Sequence, residues 1–164
     1  MADLLNSVLM MLQSSPLGAI VRNAGFVYPI LEAVHILGIA LLVGPAFTFD
    51  FRVLGFARRI VSVSTAGRYL LPVSHIGLAV TAVTGIALLS AQATVIAITG
   101  AAPWKFGLLI FAGINVAVFH GGAYRSVDLW KDLAVTPVAA RAGAAVSLVT
   151  WTGIIFAGRL LAYT

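Results

Sequence analysis

Four stretches of this chain stay apolar for about the 20 residues a helix needs to cross ~30 Å of hydrocarbon. They run from about Phe26 to Phe49 with a continuation towards Leu54, from about Tyr69 to Ile96, from Pro103 to about His120, and from about Ala142 to Tyr163. Tyr28, Tyr69, Trp104, Tyr124, Trp130 and Tyr163 stand near their ends, where amphipathic rings anchor a span at the interface. Pro103 suits a first helical turn, in which its missing N–H is no loss. The pattern predicts an all-α fold: an integral membrane four-helix bundle over residues 23–164.

Residues 1–22 read differently. Ala2–Val21 is apolar but broken by Asn6, Gln13, Ser14, Ser15 and Pro16, which predicts a short amphipathic helix lying in the interface. A signal peptide competes less well, because no basic residue precedes the apolar run. A fifth span would be short.

The ten Lys and Arg residues are distributed unevenly between the connecting segments. Arg52, Arg58, Arg59, Arg68, Arg125, Lys131 and Arg141 fall on one side of the spans, and Arg22, Lys105 and Arg159 on the other. Basic residues favour the cytoplasmic side. The expected arrangement therefore has both termini outside, which in a bacterium means a protein of the inner membrane with periplasmic ends.

Composition narrows the function classes. The chain is 61% hydrophobic and 9% charged, with mean hydropathy +1.07, whereas a soluble domain carries roughly 25% charged residues. No polar stretch is long enough for a soluble catalytic domain. The absence of Cys excludes disulfides, thiolate zinc sites, iron–sulfur clusters and covalent c-type haem attachment. The net charge of +5 is a topology signal and not a nucleic-acid one. No phosphate loop, nucleotide fold or nucleophile–base pair is visible. Met1, Met10 and Met11 are too few and too poorly spaced for a copper relay.

The candidate chemistry lies in three histidines inside the spans, His35, His75 and His120. An ionisable or metal-ligating side chain in hydrocarbon is costly and marks a functional site by default. At 1.5 Å per residue, His35 sits roughly 13 Å from the outer boundary, and His120 roughly 25 Å from it, near the cytoplasmic side. His75 is six residues into the second span from its cytoplasmic end at Tyr69, so it lies at a level similar to that of His120. Two imidazoles at one level on different helices suit the opposite faces of haem b. The plain alternative is a histidine bonded to a carbonyl, a head group or water near the interface. For the deeper His35, a proton relay or a small-molecule contact is the second reading.

Glu32 lies one turn before His35 and shares its helix face. Di-iron carboxylate bundles use this Glu-x-x-His spacing but need further glutamates, and Glu32 is the only one here. Lys105 and Arg159, on the same outer side, are its expected partners, as an ion pair or as part of a proton or quinone relay. Asp50 and Arg52 read as local pairing at a span boundary. Asn115 reads as an interhelical hydrogen bond. Gly38, Gly44, Gly77, Gly85, Gly107, Gly113, Gly153 and Gly158 let helix backbones approach closely, for packing or beside a flat cofactor.

The run L-E-A-V-H-I-L-G-I-A-L-L-V-G around His35 resembles the first span of a family of small four-helix bacterial inner-membrane proteins of unknown function. The segment from Trp104 through G-I-N-V-A-V-F-H-G-G-A-Y-R-S-V is similar to that family's third span, and G-R-L-L-A-Y to its C-terminus. The resemblance covers most of the chain and implies a fold and a location. It singles out His35, Lys105, Asn115, His120 and Arg159, and favours pairing His35 with His120. A more distant, architectural likeness is to membrane b-type cytochromes and copper-resistance membrane proteins.

The leading expectation is a b-type cytochrome: haem b on two of His35, His75 and His120, passing electrons between a quinone pool and a periplasmic redox protein or a larger complex. The other readings are a small transporter or copper-handling protein, and a non-catalytic accessory subunit. The lipid bilayer is the expected partner in all three, and nucleic acid in none.

Overall fold

The computed structural model describes residues 2–96, 100–130 and 136–161, with the side chains of residues 2 and 3 excepted. Lys131 and Tyr163 lie outside the described residues. Among those described, secondary structure is helical throughout: α1 (Ala2–Ser14), α2 (Pro16–Asn23), α3 (Val27–Val53), α4 (Val63–Ala91), the short α5 (Ala93–Ile96), α6 (Ala102–Gly121), a 3₁₀ turn (Ala123–Ser126), the short α7 (Val127–Trp130) and α8 (Val138–Leu160). Four helical segments, α3, α4, Ala102–Trp130 and α8, are long and apolar enough to cross a membrane. By that measure the chain is a multi-pass membrane protein. Exposed Ile30, Ile36, Leu37, Ile76, Val83, Ile110, Ile114 and Val149 give these helices an outward surface suited to lipid.

Local chemistry sets the helix ends. Ser62 caps α4, its hydroxyl accepting from Thr65 N at 3.1 Å, so α4 starts at Val63, a turn and a half before the apolar run alone suggests. Gln92 leaves helical geometry and ends the span at Ala91; Ala93–Ile96 is a separate short helix. Pro137 precedes the first residue of α8, where its fixed φ suits helix entry. Pro45 and Pro72 lie inside α3 and α4. Ser15, extended ahead of Pro16 as proline requires, separates α1 from α2, and its hydroxyl accepts from Gly18 N at 3.2 Å.

The residues expected to form one interfacial helix are thus two helices, bent by 57°. They dock on the far end of α4. Arg22 Nη1 donates to Gln13 O at 2.7 Å, Ala91 O at 3.1 Å and Ser90 O at 3.4 Å. One guanidinium thereby serves carbonyls at the C-terminal ends of both α1 and α4, where a cation also meets the negative end of each helix dipole. Gln13 Oε1 accepts from Thr94 N at 2.9 Å and Thr94 Oγ1 at 2.8 Å.

The long helices pack through small residues. α3 and α4 form the most extensive pair, α6 packs on α8, and α3 joins the two pairs through α8. At Gly77 of α4, an added methyl group would stand 2.6 Å from the Leu41 carbonyl carbon and 2.8 Å from Leu42 Cα of α3. Only glycine allows that approach. Ser74 Oγ, three residues earlier, donates to Leu42 O at 2.9 Å. Two buried clusters result. Phe49, Val53, Val63, Ala66, Trp130, Ala140 and Ala144 form one; Leu42, Val43, Ala112, Trp151 and Ile154 form the other.

Candidate functional site

Between the two clusters lies a cavity to which α3, α4, α6 and α8 all contribute. Leu42, Phe49 and Asp50 come from α3, Ser74 and His75 from α4, Asn115, Phe119 and His120 from α6, and Gly143, Ser147 and Trp151 from α8. The cavity volume is about 70 Å³, room for a few water molecules. At the opening, His75, Leu78 and Val116 are exposed, between α4 and α6.

Two of the three histidines meet here. The ring centroids of His75 and His120 are 6.1 Å apart, with their planes at 52°. The shared level estimated from helix rise therefore corresponds to real proximity. The Nδ1 of His120 is 2.9 Å from Val116 O, one turn back on α6. A carbonyl has no proton to give, so Nδ1–H donates, and in the neutral ring Nε2 is left as the acceptor. That Nε2 is buried and has no partner among the described residues. Phe119 and Tyr124 pack against the His120 ring, with centroids at 5.6 and 5.3 Å. A backbone bond on one imidazole nitrogen that aims the other is the usual arrangement behind a metal-ligating histidine.

Asp50 is part of the same site. It is 6% exposed, Ser147 of α8 lines the same cavity, and Asp50 Oδ2 has no hydrogen-bond partner among the described residues. Arg52 does not pair with it locally, as the span-boundary reading expected. Arg52 Nε instead donates to Val61 O in the loop after α3. Two helix positions differ by ~200° around the axis, so neighbours at i and i+2 face different surroundings. Asn115 Nδ2 donates to Gly143 O of α8 at 3.1 Å, which leaves its amide oxygen as an acceptor.

His35 stands apart from the pair. Its Nδ1 is 2.8 Å from Thr84 Oγ1. Thr84 already donates its single hydroxyl proton to Val80 O at 2.7 Å, so His35 is the donor in this bond. Thr84 follows His75 by nine residues, or ~13 Å along α4. The alternative pairing of His35 with His120 is therefore not assembled. Lys105 lies along α8, where a methyl group added at Gly158 would stand 3.3 Å from its Nζ. Glu32 and Arg159 are exposed. The expected ion pair of Glu32 with Lys105 is absent among the described residues.

Asp50, Ser147 and Ser74 were not legible as site residues. Their signal is a buried polar position on each of three helices, visible only once the helices are packed. No group of three His, Asp or Glu side chains among the described residues is close enough to hold a metal ion by itself. No protein-family model, curated protein or solved structure matches the chain.

Proposed function

We propose that this protein is a membrane-embedded b-type cytochrome, an electron-transfer protein or the haem subunit of a redox complex, with His75 and His120 as axial ligands. The observation that carries this reading is the 6.1 Å between two imidazoles on separate helices. With a metal–imidazole bond of about 2 Å and a ring centre roughly 1 Å behind the ligating nitrogen, two axial rings on one iron stand ~6 Å apart. The Val116 bond leaves His120 Nε2 free to ligate. Phe49, Phe119 and Trp151 supply apolar walls; the interior of about 70 Å³ is too small for a macrocycle, so the reading requires α4 and α6 to part when haem binds.

Haem bound there supplies one-electron transfer. His75 and His120 would hold the iron, and Phe49, Phe119 and Trp151 would keep water from it. Electrons exchanged with a quinone pool or a periplasmic redox protein complete the reading. A site for bare copper or zinc fits less well, because two imidazoles alone do not complete the usual ligand set.

The same reading treats the four long helices as one bundle in a bacterial inner membrane, with both termini periplasmic and α1–α2 at the outer interface. Its support is the uneven distribution of basic residues and the Arg22 bonds that hold both N-terminal helices at the end of α4. Cysteine placed at Ile60, in the exposed loop after α3, should label only from the cytoplasm; labelling from the periplasm overturns the orientation. For the cofactor, the measurement is a visible spectrum and pyridine haemochrome of detergent-purified protein from cells supplied with a haem precursor. A Soret band with a b-type haemochrome is expected. Protein that stays haem-free under those conditions overturns the reading.

A further inference from the structure

We infer that Asp50 and His120 hold one proton between them through water in this cavity, which makes it a proton-uptake site within the bundle. The inference concerns the form in which α4 and α6 lie together, and it does not rest on the haem reading. Two polar atoms of the lining are buried without a partner among the described residues, Asp50 Oδ2 on α3 and His120 Nε2 on α6. The bond of His120 Nδ1 to Val116 O leaves Nε2 as an acceptor, and the bond of Asn115 Nδ2 to Gly143 O leaves its amide oxygen as another. The volume of about 70 Å³ takes a few water molecules. Buried water is held by polar groups that otherwise lack partners, and here it donates to these acceptors.

An ionised carboxylate left unpaired in hydrocarbon is costly, and taking up a proton removes the cost. Arg52 turns to Val61 O, and Arg68, Arg125 and Arg141 are exposed, where water and head groups screen them. One proton satisfies both ends of the cavity. On Asp50 it makes a carboxyl that donates through water to the neutral imidazole. On His120 it makes an imidazolium that donates through water to the carboxylate, while Val116 O still accepts from Nδ1. The bridging water accepts one proton as it gives up another, so the two placements interconvert with no net gain or loss. Two further titratable groups face the pair. His75 of α4 is exposed at the opening with its ring 6.1 Å from that of His120, and Tyr124 packs on the His120 ring. The lining residues of α8, Gly143, Ser147 and Trp151, do not titrate. His75 therefore stands on the route by which the proton enters.

The test measures proton uptake, with a pH indicator, by purified protein in phosphatidylcholine nanodiscs prepared without added haem precursor. Wild type, Asp50→Asn, His120→Gln and the double variant are compared over a series of pH steps. A shared proton belongs to the pair and not to either residue. Each single substitution should weaken binding of the same proton at least tenfold, which lowers the midpoint of uptake by about one pH unit or more, and the double variant should lose no second proton. An unchanged midpoint in either single variant, or two separate losses that add in the double variant, overturns the inference. Should a variant fail to fold, infrared spectra of wild type with isotope-labelled aspartate and histidine decide. A carboxyl band and an imidazole band should change together over one pH step; carboxyl bands that all titrate apart from the imidazoles overturn the inference.

Discussion

His120 and His35 make the same bond and end in opposite situations. Each donates Nδ1–H to an oxygen of the helix framework, Val116 O at 2.9 Å in one case and Thr84 Oγ1 at 2.8 Å in the other. His120 then presents a buried, unpartnered Nε2 within a cavity that also contains His75 and Asp50. His35 bonds across to the neighbouring helix, and a methyl group added at Gly85 would stand 3.1 Å from its Cε1. One ring keeps an unpartnered nitrogen in the cavity; the other joins α3 to α4. An intramembrane histidine is thus judged by its second nitrogen and by the space in front of it, and depth in the membrane is not enough.

The widest separation between the two ends should appear on ligand removal. His120→Ala should abolish or reduce haem occupancy at least tenfold, while His35→Ala keeps a normal Soret band; both should insert, since insertion depends on the apolar spans. Loss of haem in His35→Ala with retention in His120→Ala would reverse the comparison. Backbone packing beneath the site comes next. Gly77→Val drives a side chain into the Leu41–Leu42 backbone, and overpacking of this kind costs ~1–3 kcal/mol. It also displaces His75, two residues away, so thermal stability and haem affinity should fall together; an unperturbed melting temperature would show that the helices separate freely. The smallest effect belongs to the outer histidine. Thr84→Val removes the acceptor of His35, and interhelical hydrogen bonds in membranes average ~0.6 kcal/mol. A slight loss of unfolding stability with an unchanged haem spectrum is expected, and a shifted spectrum would join the two ends into one functional unit.

Helix rise alone placed His75 and His120 at one level, and apolar length alone marked four spans. The helix ends were less legible. The Ser62 cap extends α4 back to Val63, and Gln92 closes it before Ile96, because caps and breaks are set by single polar side chains that an apolar window averages away. The N-terminal segment kept its break at Ser15–Pro16, yet its docking depends on Arg22 reaching the carbonyls at the end of α4, residues 68 and 69 positions away.

The sequence by itself determined the solvent, the all-helical class, the absence of thiolate chemistry and the short list of histidines, because these follow from apolar run length and residue inventory. Only the tertiary structure decided which histidines meet, that Asp50 lines the same cavity and that Arg52 turns to Val61 O. Each of those outcomes depends on how far one helix is rotated about its axis against another. That rotation is set by contacts such as Gly77 against Leu42, between positions far apart in the chain, where hydropathy carries no information.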